Sequence, residues 1–338
     1  MSLQTVFLTG ATGFIGSHLA AALLQRGCEV RCLIRPGSAG AVSLPPGVVP
    51  VVGRVEQPAG YRDALSGCDT VFHLAGCVTA VSRTALMETN GHATARLADV
   101  CAALPVPPRF VFLSSLAAAG PPPQGRVRRD ETDLAAPVSH YGRSKRAGEV
   151  ALEQLADRLP VTIVRPGIVY GRRDPKIAAV FKAIHRTGVH VVVGFRTPPL
   201  SLIYVDDLVD LIVRAATDGE TLENAGPPGR GYYLACDDSD HPTYWQFGRH
   251  IAAALGRGVF VWPLWRWVGR TVGGVAEAMA RLTGDASLLT LDKIREATAR
   301  SWACSAAKAR EQLAFAPPLP LDARLRETAV WFREQGWL

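Results

Sequence analysis

The run Thr9-Gly-Ala-Thr-Gly-Phe-Ile-Gly16 restricts the fold of this chain more than any other. It follows a short apolar stretch, Val6–Thr9, and opens a helical one, Ile15–Arg26, which marks a turn from a strand into a helix. Glycines at 10, 13 and 16 permit a tight turn, a close approach of backbone to a bound group, and close helix–strand packing. Amides at the start of such a helix face an anion. Gly10, Thr12, Gly13, Phe14, Ile15 and Gly16 are therefore read as a pyrophosphate cradle.

Between residue 3 and about 165, short apolar runs alternate with helical stretches, which predicts a parallel sheet with helices on both faces. The expected strands are Val6–Thr9, Glu29–Ile34, Val48–Val52, Thr70–Leu74, Phe110–Ser114 and Thr162–Arg165. The expected helices are Ile15–Arg26, Tyr61–Ser66, Glu88–Ala103 and His140–Arg158. Uninterrupted apolar runs such as Val71-Phe-His-Leu and Phe110-Val-Phe-Leu suit strands covered on both sides. Beyond Arg165 the pattern loosens into proline and glycine clusters, with helical stretches near 243–255, 263–282, 288–298 and 321–334. The expected division is a cofactor domain over 1–170 and a substrate lobe over 171–338, with 202–217 packing back on the first domain.

With 338 residues, 48% of them hydrophobic and 20% charged, the chain can bury a sizeable core. The net charge of +7 comes from scattered arginines, with no basic run of the kind that binds nucleic acid. Two readings of it stand: arginine usage alone, or attraction to an acidic cofactor or an anionic membrane surface. Seven cysteines form no Cys-x-x-Cys pair, and no metal-ligand cluster appears. A reduced, cytoplasmic setting is expected. The first residues read as a strand rather than a signal-type segment, and no run of 18 apolar residues appears, so neither export nor a spanning helix is expected.

An acidic residue normally ends the second strand of an NAD site, where it accepts from the ribose 2′-hydroxyl. Here the strand reads Val30-Arg-Cys-Leu-Ile-Arg35-Pro-Gly-Ser38. An arginine at that place meets a 2′-phosphate instead, so the expected cofactor is NADP(H). Arg31 and Arg35 are the candidate clamps and Ser38 an extra donor; the alternative is that one or both arginines are merely solvated.

Tyr141 and Lys145 stand four apart in His140-Tyr-Gly-Arg-Ser-Lys145, in a chain with only five lysines. On a helix they share a face. The ammonium is expected to sit under the phenol and lower its pKa, making an acid–base catalyst.

These residues stand in order with Asp69-Thr-Val-Phe-His73-Leu-Ala-Gly76, Thr89-Asn90, Ser114-Ser115, Glu149, Arg165-Pro-Gly167 and Tyr204-Val-Asp-Asp207. From residue 3 to about 215 the chain resembles the extended short-chain dehydrogenase/reductase family. The resemblance implies an α/β fold, a Rossmann-like doubly wound parallel sheet with a smaller, mostly helical C-terminal substrate lobe. It implies Ser115 as the hydroxyl that holds the substrate oxygen, Tyr141 as the proton-transfer group and Lys145 as the ligand of the nicotinamide ribose. Leu74, Ala75 and Gly76 would line the cofactor, with Pro166, Gly167 and Val169 near the nicotinamide. His73 and Asn90 are expected to be scaffolding, and His140 either a substrate contact or a solvated residue. Many relatives have Gly-Asp after the third strand, but this chain has Gly53-Arg54-Val55. Adenine is then expected to meet backbone and the Arg54 guanidinium.

Within that family, dehydratases place Asp-Glu directly after the strand-five hydroxyl, and this chain has Leu116-Ala-Ala-Ala119. Sugar-nucleotide enzymes commonly carry a phosphate-binding arginine just before the Val-Asp-Asp strand, where this chain has Pro198-Pro-Leu-Ser-Leu202, with Arg196 close by. The Val30-Arg-Cys-Leu-Ile-Arg35 strand, the Ser201-Leu-Ile-Tyr-Val-Asp-Asp-Leu208 element and the C-terminal pattern Trp302…Lys308-Ala-Arg310…Leu313-Ala-Phe315…Trp331…Gly336-Trp-Leu338 resemble the 3β-hydroxysteroid dehydrogenase and dihydroflavonol-reductase-like branch, which implies a bulky lipophilic substrate. A nucleotide-sugar epimerase and a catalytically silent NADP sensor are the alternatives. Finally, Phe260–Arg270 and a helix on to Leu282 place Arg266, Arg270, Glu277 and Arg281 on one stripe, leaving an apolar face with Trp265 and Val272. That face is expected to pack inside the lobe or across a homodimer, or else to touch the inner face of a membrane.

Overall fold

The structure is a computed structural model that describes residues 3–37, 44–78, 82–265, 267, 271 and 291–338. Ser38 and most of the 263–282 stretch lie outside the described residues.

The first half runs β1 (Thr5–Thr9), α1 (Phe14–Gln25), β2 (Glu29–Ile34), β3 (Val49–Val52), α2 (Arg62–Leu65), β4 (Thr70–His73), α3 (Arg83–Met87), α4 (Ala93–Ala102), β5 (Arg109–Leu113), α5 (Leu116–Ala119), α6 (His140–Glu153) and β6 (Val161–Pro166). A π-helical turn, Glu88–His92, joins α3 to α4 and carries Asn90. The rest runs β7 (Ile168–Tyr170), α7 (Pro175–Thr187), β8 (Val189–Val193), β9 (Leu202–Tyr204), α8 (Val205–Thr217), β10 (Tyr232–Ala235), α9 (Tyr244–Ala254), β11 (Phe260–Leu264), α10 (Leu291–Ala297), α11 (Ala307–Leu313) and α12 (Leu321–Glu334).

Seven parallel strands form the central sheet in the order β10-β6-β5-β4-β1-β2-β3. The fold is therefore α/β and Rossmann-like, as expected. Alternation along β1 explains the two-sided cover: Val6 and Leu8 join α1 and α8 in one core, and Phe7 joins α4 and α6 in the other. The strand order reverses between β1 and β4, and in open α/β sheets the crevice at the carboxyl ends of the strands at such a switch point is where ligands bind.

Two differences from the sequence reading have physical causes. A boundary at 170 leaves out β10, which pairs with β6 (Tyr233 opposite Val164) and so belongs to the central sheet. Its four apolar residues, wedged between a glycine–proline turn and Asp237-Asp238, are too short to show a period. Phe260–Leu264 is a strand, which takes Pro263 and Leu264 out of the helical stretch expected near 263–282; it pairs in parallel with β8, Trp262 opposite Val191. Exposed Phe260 and Trp262 flank buried Val261, a period of two rather than 3.6. The C-terminal lobe otherwise packs Phe181, Phe247, Ile251, Leu325 and Phe332 from α7, α9 and α12. Arg324 of α12 bonds Asp207 at the start of α8 and stacks on Tyr204, which ties the lobe to the sheet domain.

Candidate active site

Parallel strands bring the sequence candidates to one edge. The glycine turn follows β1, Arg35 follows β2, Arg54 and Val55 follow β3, Leu74–Gly76 follow β4, Ser115 follows β5, and Pro166 and Gly167 end β6 with Val169 next on β7. Gly10 lies at φ +79°, and a methyl there would stand 2.7 Å from the Ala75 nitrogen. A methyl on Gly16 would stand 2.1 Å from the Gly10 carbonyl oxygen, so only glycine closes this turn. Gly13 precedes α1 with no side-chain cap, and the first turn of α1 has no acid. Backbone amides at a bare helix start suit a pyrophosphate, so the residues present fit a dinucleotide.

Ser115 caps α5, accepting from the Ala117 amide at 3.1 Å, and its hydroxyl hydrogen-bonds the Tyr141 phenol. Tyr141 opens α6, whose N-cap Ser139 accepts from the Gly142 amide at 2.9 Å. Burial pushes the phenol up to about 12; the Ser115 hydrogen bond works against that rise and the Glu296 charge adds to it. Lys145, one turn on, donates to the Leu113 carbonyl at 2.8 Å and lies 4.6 Å from the Phe112 ring centre. Burial brings its ammonium down to about 8, with Glu149 opposing. A methyl on Gly76 would stand 3.1 Å from Lys145 Nζ, which places the ammonium beside the strip after β4. One expectation is thus corrected. Tyr141 and Lys145 share a helix face, but the ammonium reaches down to β5, and desolvation keeps the phenol protonated.

Beneath Lys145, Ser114 donates to Glu149 Oε1 at 2.5 Å, and Arg165 forks onto both carboxylate oxygens at 2.9 and 2.7 Å. Burial alone would raise Glu149, but the Arg165 charge and these hydrogen bonds outweigh it and hold the carboxylate below its usual range. This pair joins β5, α6 and β6, and so sets where α6 presents Tyr141. A second network runs from Thr9 to His73 (2.7 Å), from His73 to Thr94 (2.9 Å), and from Thr94 Oγ1 to the Asn90 carbonyl (2.9 Å). Asn90 then donates to Ser144, whose hydroxyl donates to the Tyr141 carbonyl at 2.7 Å. Burial, with Lys145 nearby, brings His73 down to about 3, so it is neutral scaffolding. His140 is half-buried at the start of α6.

Arg31 is not at the site. Its guanidinium bonds Glu29 at 2.7 Å and the Ala64 and Ser66 carbonyls at 3.1 Å, at the amino-terminal edge of the sheet, opposite the glycine turn. Arg35 and Arg54, both exposed, stand instead at the carboxyl ends of the paired strands β2 and β3.

Two residues gave no local signal in the sequence. Arg129, 1% exposed, donates to the Gly120 carbonyl at 2.6 Å and the Leu134 carbonyl at 3.1 Å, gripping the loop after Ser115. Asp292 of α10 accepts from the His140 and Tyr141 amides at 2.7 and 3.1 Å. A carboxylate from the C-terminal lobe thereby caps the helix that carries the tyrosine. Asp292→Ala should lower kcat about tenfold, the size of a lost charged cap. Cofactor affinity should hold and Asp292→Asn should recover most of the rate; an unchanged kcat in the alanine variant would remove the positioning role.

The model of the NAD dependent epimerase/dehydratase family matches residues 6–227. The chain belongs to that family. This epimerase/dehydratase-family protein is 28% identical over 334 residues to the ceramide reductase of Caulobacter vibrioides (strain NA1000 / CB15N), covering 98% of this chain and 96% of that protein. It is 28% identical over 345 residues to the UDP-glucose 4-epimerase of Vibrio cholerae, covering 97% and 95%. It is 29% identical over 277 residues to the 3-beta-hydroxysteroid dehydrogenase of Mycolicibacterium neoaurum, covering 75% and 71%. The family member is an extended short-chain dehydrogenase/reductase and an NAD(P)-dependent enzyme of the oxidoreductase/epimerase type.

Proposed function

We propose that this protein is an NADP(H)-dependent oxidoreductase that interconverts a secondary alcohol and a ketone on a bulky lipophilic substrate. The observation that carries the reading is the Ser115–Tyr141 hydrogen bond at the crevice, with Lys145 beside Gly76. The glycine turn would hold the pyrophosphate and Lys145 the nicotinamide ribose; the bound cofactor supplies the hydride exchanged with the carbinol carbon. Ser115 holds the substrate oxygen by a hydrogen bond. Tyr141, protonated at neutral pH, delivers its proton to that oxygen in reduction and takes it back in oxidation.

The substrate class rests on what precedes β9. Leu200, Ser201 and Leu202 are buried, and Ser201 Oγ accepts from the Cys304 amide at 2.8 Å. Apolar packing occupies the place where a sugar-nucleotide enzyme carries its phosphate-binding arginine. The ceramide reductase and the steroid dehydrogenase among the relatives are named for lipids, which supports the reading, while the UDP-glucose 4-epimerase keeps nucleotide sugars as the alternative. Reduction of a long-chain or sterol-like ketone with NADPH dideuterated at C4 of the nicotinamide should place deuterium on the product carbinol carbon. Product without label would dismiss direct hydride transfer.

For the cofactor, Arg35 and Arg54 are the guanidinium groups set to meet a 2′-phosphate, and no acid stands at the end of β2. NADPH should therefore bind more tightly than NADH, and Arg35→Asp should reverse the order. Titrations against intrinsic fluorescence read this directly; a wild type that prefers NADH would contradict it.

A further inference from the structure

We propose that the outer face of the β8–β11 ribbon docks on an anionic phospholipid bilayer. Along β11, Phe260 (66% exposed) and Trp262 (56%) point outward, and across the register from Trp262 stands Val191 (49%). The inner positions, Val192 and Val261, are buried. The face continues past the strand ends, where the Phe195 and Trp265 rings meet edge to face at 5.2 Å, 60% and 61% exposed. Trp267, two residues after Trp265, is also exposed, at 67%. Isolated exposed aromatics are ordinary, but a contiguous set on one ribbon marks an interaction surface.

Charge decides between partners. Segments 175–200 and 241–265, which contain α7, β8, α9 and β11, hold Lys176, Lys182, Arg186, Arg196, Arg249 and Arg257 and not one Asp or Glu. Arg196 follows Phe195 directly and is exposed; Arg257 lies three residues before Phe260, donating to the His185 carbonyl. A second copy brought against this face by a two-fold axis would set these cations against one another without a carboxylate from either segment. An anionic bilayer meets both features, since aromatic rings settle at the headgroup level and each nearby cation adds attraction. The proposed contact is peripheral, and no helix among the described residues is long and apolar enough to cross a membrane. The docking surface stands on its own geometry. That it lets a lipid substrate reach the crevice from the bilayer rests on the proposed function.

The test is co-sedimentation of the full chain with vesicles of phosphatidylglycerol and phosphatidylcholine, against phosphatidylcholine alone, with NADPH binding and thermal melting measured on every variant. The wild type should pellet with the anionic vesicles at low salt and stay in solution with the neutral ones. Phe260→Ser with Trp262→Ser should weaken binding about tenfold or more, and Arg186→Glu with Arg196→Glu should do so by a comparable factor that salt suppresses. NADPH affinity should be unchanged in both, so the readout is independent of catalysis. No pelleting by the wild type, or full pelleting by the variants, overturns the proposal. So does a dimer in sedimentation velocity that the Phe260→Ser, Trp262→Ser chain loses while vesicles bind neither protein, because the face then belongs to a second copy.

Discussion

Tyr141→Phe should cut turnover by ~10²–10⁴ while leaving NADPH affinity nearly unchanged, because the substitution removes one oxygen that moves a proton and nothing that holds the cofactor. The ring remains to fill its buried place at the start of α6, so the fold should survive. Ser115 keeps the Ala117 amide as a partner and stays oriented. Steady-state rates beside a cofactor titration separate the two effects. A variant that keeps more than about a tenth of the wild-type rate would fall far short of a general acid's contribution and remove Tyr141 from the chemistry.

Glu149→Ala should destabilise the protein by about 3–5 kcal/mol, the cost of leaving one partner of a buried ion pair uncompensated. Glu149 is fully buried and Arg165 4% exposed, so water cannot replace the lost carboxylate. The rank matters more than the figure. Replacing both residues, Glu149→Leu with Arg165→Met, should recover much of the loss, since the pair's own attraction is largely spent on its desolvation. Urea unfolding of the two single variants and the double variant gives the coupling; a single variant that unfolds like the wild type would contradict the account. The pH sign follows from the depressed carboxylate. Its contribution is complete above the ordinary glutamate value of 4.5 and is lost as pH falls through the lower folded value, so Glu149→Gln should flatten that part of the acid limb.

The central sheet was legible because its strands are buried on both faces and its turns carry glycine, signals that lie within a few residues of one another. All six expected strands are present, within a residue or so at their ends. β10 escaped because four apolar residues between polar turns carry no period, and because their partners lie 69 residues back, at Ile163–Pro166. At the site, spacing placed Tyr141 and Lys145 on one face but could not set their charges. Those follow from burial, which depends on Phe112, Leu113 and the rest of the fold around them. Arg31 and Arg35 look equivalent in the sequence because both belong to one basic strand. They separate only when the strand has ends, since Arg31 turns to the carbonyls at the end of α2 and Arg35 stands past β2 at the crevice edge. Asp292 reaches the helix of Tyr141 from about 150 residues away, and no local pattern announces such a cap.

The most direct test of the central claim is a substrate panel under one set of conditions. Purified protein with NADPH would be offered sterol-like, polyketide-like and long-chain ketones, and separately UDP-glucose and UDP-galactose, with cofactor absorbance and product chromatography followed together. The account predicts stoichiometric NADPH oxidation with at least one lipophilic ketone, abolished in Tyr141→Phe, and no change in either sugar nucleotide. Interconversion of UDP-glucose and UDP-galactose without net cofactor consumption, alongside inert lipophilic ketones, would contradict it.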